Sequence, residues 1–337
     1  MKRVISVVLI LVCLFLSGCR KASVPEAVPE ICAPESGFPV TLTDQAGREV
    51  TIEKAPERIV SGYYISTSTL LALGLRERIC GLEARADKRN IYRLCAPELI
   101  DLPNTGTAKD FSLEGCAALS PDLVILPVKL SEAADALTDL GFKVLLVNPE
   151  SRELSKGMIS LLAKATGTVE RGEKLLTFTD TVTDRLSSLS GGPSVYMAGS
   201  SAFTRTAGKN MYQSEMIRLA GCTNVADELT GNTWADVGYE QILFWDPELI
   251  LIAAEASYTV EDVLGNPGLS AVTAVKNGRV YKMPDEIEAW DSPVPGAVLG
   301  SLFAAEKAGN GVSEEEVLDT VNEFYETFYD VGVKSIP

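Results

Sequence analysis

The chemistry open to this chain is bounded first by a residue type it lacks. None of its 337 residues is histidine. That removes Ser-His-Asp and Cys-His nucleophiles, the H-E-x-x-H zinc motif and any metal or haem held through imidazole. The G-x-S-x-G elbow, the phosphate-cradling G-x-x-x-x-G-K-[ST] loop and the dinucleotide-binding G-x-G-x-x-G turn are missing as well. Carboxylates remain. Glu114 lies seven residues before Pro121, which opens the run Asp122-Leu123-Val124-Ile125; Glu240 lies seven residues before Pro247, which opens Glu248-Leu249-Ile250-Leu251. Glutamate, proline, acid and apolar run thus recur at an offset of 126 residues. A carboxylate near the N-terminal end of a short helix is favoured by the helix dipole, so either glutamate alone could simply support its helix. The matched pair predicts more, namely two equivalent charges displayed on one face. Two carboxylates are also all that a glycosidase needs, but no local pattern selects such a pair.

The thiols divide by position. Cys13 falls in an apolar N-terminal run, and Leu16-Ser17-Gly18-Cys19 closes that run. Lys2 and Arg3 precede it as a short basic region, and Val4 to Leu16 is shorter than the ~20 residues a comfortable bilayer span needs. Small residues before Cys19 resemble a bacterial lipobox. The expectation is a signal peptide over 1–18, cleavage before Cys19 and lipidation of its thiol; the plainer alternative is an ordinary signal peptide that contains a cysteine. Residues 19–37, rich in Pro, Glu and Ala, read as a tether. No other stretch is apolar enough to span a membrane. The expected location is the outer face of the cytoplasmic membrane, with each buried lipid methylene contributing ~0.8 kcal/mol. Cys32, Cys80, Cys95, Cys116 and Cys222 are odd in number and have no C-x-x-C spacing, which argues against zinc. One or two disulfides are allowed outside the cell, and sequence does not pair them. Cys116 and Cys222 read equally well as small buried apolar residues.

The elements that must position these groups are of α/β type. Pro39 to Ile52 reads as a hairpin around Asp44-Gln45-Ala46-Gly47. Arg58 to Gly62 and Ile79 to Leu82 read as short strands, with a helix over Ser66–Leu73 between them. Leu123–Leu126, Val144–Val147, Ser194–Ala198 and Leu249–Ile252 are short apolar runs suited to parallel strands covered on both faces. Thr168 to Leu189 carries Leu175, Phe178, Val182, Leu186 and Leu189 at helical spacing, and Gly191-Gly192-Pro193 ends it. The domain expectation is an N-terminal lobe over 38–166, one long stiff linking helix over 167–190 and a C-terminal lobe over 193–337. Ser313 and Glu316 have capping-box spacing ahead of a stripe of Val317, Val321, Phe324 and Phe328. The fold class is therefore two Rossmann-like α/β lobes joined by a single helix, with a cleft between them. Formal charge is −16, from 30 Lys+Arg against 46 Asp+Glu, so a nucleic-acid partner is not expected.

These features occur in one order: lipobox, tether, the hairpin entering Ala55-Pro56-Glu57-Arg58-Ile59-Val60, the repeated Glu–Pro–acid strand units and the linking helix. Ala274-Val275-Lys276-Asn277-Gly278-Arg279-Val280-Tyr281 and Trp290-Asp291-Ser292-Pro293 follow. Over nearly all of 38–330 the chain resembles the substrate-binding lipoproteins of ABC importers for iron–siderophore, haem and cobalamin. The resemblance implies a monomeric carrier with no catalysis and no required cofactor, which hands a small ligand to a permease dimer driven by an ATPase. It also implies that Glu114 and Glu240 dock onto arginines of the two permease subunits, as charge-assisted pairs. An iron complex such as a ferric siderophore or haem is the first ligand expectation. A corrinoid, a molybdate-like oxyanion, a non-transporting sensor and a carboxylate-based enzyme are the alternatives.

Ligands of open α/β sheets sit at the carboxyl ends of the strands. The loops there place Tyr63 and Tyr64 after the first strand, Arg85 after the second, Lys109 ahead of Glu114, and Lys129 after Leu126. In the second half they place Ser200, Arg205, Tyr212, Trp234 and Trp290. Aromatic side chains would give flat contact and Arg or Lys would pair with anions, so a locally basic cleft and an anionic ligand are expected. Tyr63, Tyr64 and Tyr212 are the candidate haem-iron ligands. Each of these aromatics could instead be packing, and each cation could be a solvated face.

Overall fold

The expected hairpin forms from β1 (Val40–Thr43) and β2 (Glu49–Ile52), with Val40 opposite Ile52. The structure is a computed structural model and describes residues 37–336. The signal segment, Cys19, Cys32 and the tether through residue 36 lie outside the described residues. Asp44 closes the hairpin turn by accepting the N–H groups of Ala46 and Arg48, and its second oxygen accepts Leu146 N–H at 3.0 Å. One buried carboxylate thereby fixes both the turn and its seat on the following sheet.

The first lobe runs β3 (Ile59–Ser61), α1 (Tyr64–Ala72), β4 (Ile79–Gly81), α2 (Asn90–Cys95), a small ribbon of β5 (Gly106–Thr107) and β6 (Asp110–Phe111), α3 (Leu113–Ala118), β7 (Leu123–Pro127), α4 (Ser131–Asp139), β8 (Val144–Val147) and α5 (Arg152–Thr166). Its sheet is all parallel in the order β4-β3-β7-β8. After α6 (Val169–Ser187) the second lobe runs β9 (Ser194–Ala198), β10 (Arg205–Thr206), α7 (Tyr212–Leu219), β11 (Thr223–Asn224), β12 (Ala235–Asp236), α8 (Tyr239–Trp245), β13 (Leu249–Ile252), α9 (Val260–Leu264), α10 (Thr273–Lys276), β14 (Val280–Lys282), α11 (Val298–Ala308) and α12 (Glu314–Tyr329). Its parallel part, β11-β9-β13-β14, repeats the order of the first lobe, and antiparallel β10 and β12 extend one edge.

The unbroken apolar runs are explained by burial on both faces. Val124 and Leu126 join Val60, Val144 and Leu146 in an outer cluster, while Leu123 and Ile125 point to the opposite face. Each such side chain contributes about 1.5–3 kcal/mol by leaving water. The 126-residue repeat also has a local cause. Asp122 accepts the N–H groups of Glu57 and Arg58 at 2.9 and 3.1 Å, just ahead of β3. Glu248 accepts Ser194 N–H at 3.0 Å, at the start of β9. The repeated acid thus ties each central strand to its parallel neighbour. Ser120 and Asp246, also 126 apart, both adopt positive φ, at 46° and 42°.

The bracing of the lobes is wider than one rod. α6 packs against α5, α7 and α11, and α12 returns to pack against α1 of the first lobe. The inner faces of both sheets and these helices share one continuous apolar core. Arg171 of α6 locks this layer by donating to Ala72 O at the end of α1 (2.6 Å) and to Phe328 O of α12 (2.9 Å). The expected capping box at α12 is only half made. Ser313 accepts Glu316 N–H, but the Glu316 carboxylate is drawn instead to Arg185 of α6, at 2.8 and 3.1 Å.

Candidate functional site

Between the lobes lies a cleft of ≈ 660 Å³. Its walls come from the carboxyl ends of β3 (Tyr63, Tyr64), β7 (Lys129), β8 (Asn148, Glu150), β9 (Ser200) and β13 (Ala253, Glu255), with Tyr212, Trp234 and Asp291 completing it. This is the position the strand order dictates. The turn after β3 needs Gly62, because a Cβ there would sit 2.6 Å from Leu126 Cδ2. Tyr63 and Tyr64 then stand edge to face, ring centres 5.4 Å apart.

Arg89 stacks over the Tyr64 ring at 4.0 Å and reaches across to Glu255 of the second lobe at 2.6 Å. Tyr64 and Glu255 line both the cleft and a neighbouring chamber of ≈ 320 Å³, whose walls also include Arg89, Ser68, Tyr92, Ile287 and Glu288. Glu288 is buried there. Its carboxylate accepts Ser68 Oγ–H and, at 3.2 Å, Tyr325 Oη–H. Burial pushes its carboxyl up to about 7. Asp291 is likewise raised to about 7 by burial, despite accepting Ala254 N–H at 3.3 Å.

Tyr63, Tyr64, Lys129, Ser200, Tyr212 and Trp234 all line the cleft. Four other expectations need correction. Trp290 is 2% exposed and turns into the core, where its Nε1–H donates to Tyr325 Oη at 2.8 Å and its ring meets Phe303 edge on. Arg205 faces Asp236 across the β10–β12 pair, at 3.3 Å, and donates to Trp234 O at 3.1 Å. It therefore holds the backbone of a cleft residue rather than lining the cleft itself. Arg85 and Lys109 are exposed and line none of the inter-lobe cavities. Arg85 sits in a left-handed bend before α2, and Lys109 in the β5–β6 turn.

The expected basic character is also not what the site has. Lys129 and Arg89 share the site with the acidic side chains Glu150 and Glu255, and Arg89 is already committed to Glu255. Sequence reasoning passed over Asn148, Glu150 and Glu255. Reading the residues just beyond the apolar runs of β8 and β13 would have found them. Burial raises the Tyr64 phenol to about 12 and raises Tyr63 and Tyr212 as well. With their protons held, these side chains offer the cleft aromatic walls and O–H donors. Among the described residues no group of three His, Cys, Asp or Glu side chains is placed to hold a metal ion. Cys80, Cys95, Cys116 and Cys222 are free thiols, and burial pushes Cys116 and Cys222 up to about 11.

Glu114 and Glu240 occupy the second position of α3 and α8, the same place in the two lobes, and both are exposed. Neither makes an ion pair or a side-chain hydrogen bond among the described residues.

Two lobes whose parallel strands share one order, facing each other across a roomy cleft at the strands' carboxyl ends, define the class of two-lobed binding proteins. The chain belongs to the periplasmic binding protein family, whose sequence profile matches residues 59–287. It is 28% identical over 325 residues to the molybdate-binding protein MolA of Haemophilus influenzae, covering 87% of this chain and 92% of that protein. The crystal structure of MolA with molybdate, a periplasmic binding protein of an ABC transporter, matches this fold with a TM-score of 0.75 at 24% identity, over 88% of this chain and 99% of that one. A periplasmic solute-binding protein of Veillonella parvula matches with a TM-score of 0.75 at 25% identity, over 88% and 94% of the two chains. The Fe(3+)-citrate-binding protein YfmC of Bacillus subtilis is 25% identical over 284 residues, 81% of this chain and 86% of that protein. This protein is thus the extracytoplasmic substrate-binding component of an ABC transporter, which delivers a small ligand to a permease and its ATPase.

Proposed function

We propose that the ligand is an organic chelate of a metal ion, with a ferric complex first among them, held between Tyr63, Tyr64 and Trp234. The observation that carries this reading is the size and lining of the cleft. Its ≈ 660 Å³ falls in the range of sites for organic ligands. A tetrahedral oxyanion, four oxygens of roughly water size at ~30 Å³ each, would occupy only a small part of it. The balance of Lys129 against Glu150, with protonated phenols nearby, suits a ligand that presents both carboxylate and hydroxyl groups. Similarity to the ferric-citrate-binding relative supports the same class. A molybdate-like oxyanion is the second reading, supported by the 28% identity to MolA.

The remaining parts of the proposal rest on the resemblance to importer lipoproteins. Cys19 carries the lipid anchor, the carrier acts as a monomer, and Glu114 and Glu240 meet cationic residues of the two permease subunits. The test is a titration of the folded unit with ferric citrate, haemin, cyanocobalamin and sodium molybdate, followed by tryptophan emission. Of three tryptophans, Trp234 lines the cleft and Trp290 is core. Ferric citrate is expected to change emission saturably, and Trp234→Phe to remove most of that change while Trp290→Phe leaves it. Saturation by molybdate alone would replace the first reading with the second. Ala at both Glu114 and Glu240 is expected to abolish uptake and leave ligand affinity intact; equal loss of both would end the docking role.

A further inference from the structure

α8 displays more than its glutamate. Its inner side is fixed by buried Ile242 and by Trp245, whose Nε1–H donates to Glu228 at 3.0 Å. Its outer side carries Glu240, Leu243 and Phe244. Phe244 is 81% exposed, the highest value of any large apolar side chain among the described residues. Glu240 and Phe244 are four residues apart on one helix and so stand together, one turn apart. The internal repeat supplies a built-in comparison. At the 126-residue offset, Glu240 corresponds to Glu114, Leu243 to Ala117 and Phe244 to Ala118. The two lobes share the acid but not the aromatic, so nothing in the fold requires a phenyl ring at this place. The first lobe builds the same short helix with an exposed alanine there.

We infer that Phe244 is the apolar anchor of the permease contact. It inserts into a hydrophobic pocket on the extracytoplasmic face of one permease subunit, while Glu240 beside it pairs with a cation at the rim of that pocket. The inference rests on the docking role of the two glutamates. The occupant follows from continuity and charge. An unpartnered carboxylate one turn away calls for a cationic partner, and interface energy concentrates in aromatic anchors seated in pockets and ringed by polar contacts. A second copy of this chain, with formal charge −16, would bring an acid to an acid. The contact of the first lobe, Glu114 above Ala118, is polar only, so the carrier grips its transporter unequally at its two ends.

The experiment measures binding of the full lipid-free chain, without added ligand, to its permease–ATPase complex in nanodiscs by biolayer interferometry. Phe244→Ala is expected to weaken binding roughly 30-fold, the effect of losing a strong anchor. Phe244→Leu should restore most of that loss, and thermal unfolding should be unchanged because the side chain is solvated. Binding by Phe244→Ala within threefold of the parent, while Glu240→Ala and Glu114→Ala both weaken it, would overturn the anchor and leave the docking role standing. Unchanged binding in all three variants would overturn both. A Phe244-dependent dimer in sedimentation, with permease affinity untouched, would reassign the patch to self-association and overturn the inference.

Discussion

Replacing Glu288 by glutamine should change how stability depends on pH, with a sign set by the burial of its carboxyl. Glu288 lies buried between Ser68 of α1 and Tyr325 of α12, and burial raises its carboxyl from the ordinary 4.5 to about 7. Between those values the folded protein keeps the proton that the unfolded chain has lost. Raising the pH through this window therefore favours unfolding, because the native state binds more protons. The interval spans roughly 2.5 pH units at about 1.4 kcal/mol each, so this one group lowers stability by about 3 kcal/mol from pH 4.5 to pH 8, where the loss levels off. Glutamine is neutral throughout. Its Oε1 can accept from Tyr325 as the acid does, and its Nε2–H can donate to Ser68 Oγ once that hydroxyl turns its own hydrogen toward Tyr329 Oη. Urea unfolding of the folded unit at pH 4.5, 6, 7 and 8 should show the parent losing ground to Glu288→Gln by about 3 kcal/mol across the series. Asp291 is raised in the same direction, so some slope remains in the variant and the difference between the two curves is the quantity to read. Parallel curves over pH 4.5–8 would refute the reasoning, since Glu288 would then ionise equally easily folded and unfolded.

A double-mutant cycle on Arg89→Gln and Glu255→Gln should return a coupling of only about 0.5–1 kcal/mol that shrinks in 1 M salt, because the Glu255 side chain is 59% exposed. Gly300→Ala places a Cβ 2.4 Å from Trp290 O, and overpacking of this kind should cost about 1–3 kcal/mol, read as a lowered melting temperature. A thiol reagent at neutral pH should leave Cys116 and Cys222 unlabelled in the native state, since both are buried and held protonated; labelling becomes complete in denaturant. Prompt native labelling of either would place it outside the core.

The parallel strands were legible because each is a short apolar run covered on both faces, as Leu123–Leu126 and Leu249–Ile252 illustrate. The repeat around Glu114 and Glu240 was legible because duplicated topology left duplicated spacing. What escaped depends on partners distant in sequence. Trp290 sits next to the cleft residues Asp291 and Ser292, yet its indole N–H finds Tyr325, 35 residues on, and a sequence does not say which way a tryptophan turns. Arg205 lies in a loop that the strand order places at the cleft, but the two-residue strands β10 and β12 set it against Asp236; pairs that short leave no periodic trace. The basic cleft failed for the same reason. Arg89 could be counted from sequence, whereas Glu255, 166 residues away, could not be seen to neutralise it. The breadth of the bracing was hidden because the return of α12 to α1 is a matter of topology alone.

That α1, α6, α11 and α12 belong to one interior shared by both halves has a bearing on traffic at the membrane. Halves that cannot swing apart without tearing a common core change shape little when cargo arrives. Full and vacant carriers then offer the translocator almost the same face, and the vacant ones compete for it. Import would track the fraction of carriers that are loaded, and an excess of carrier over cargo would slow delivery.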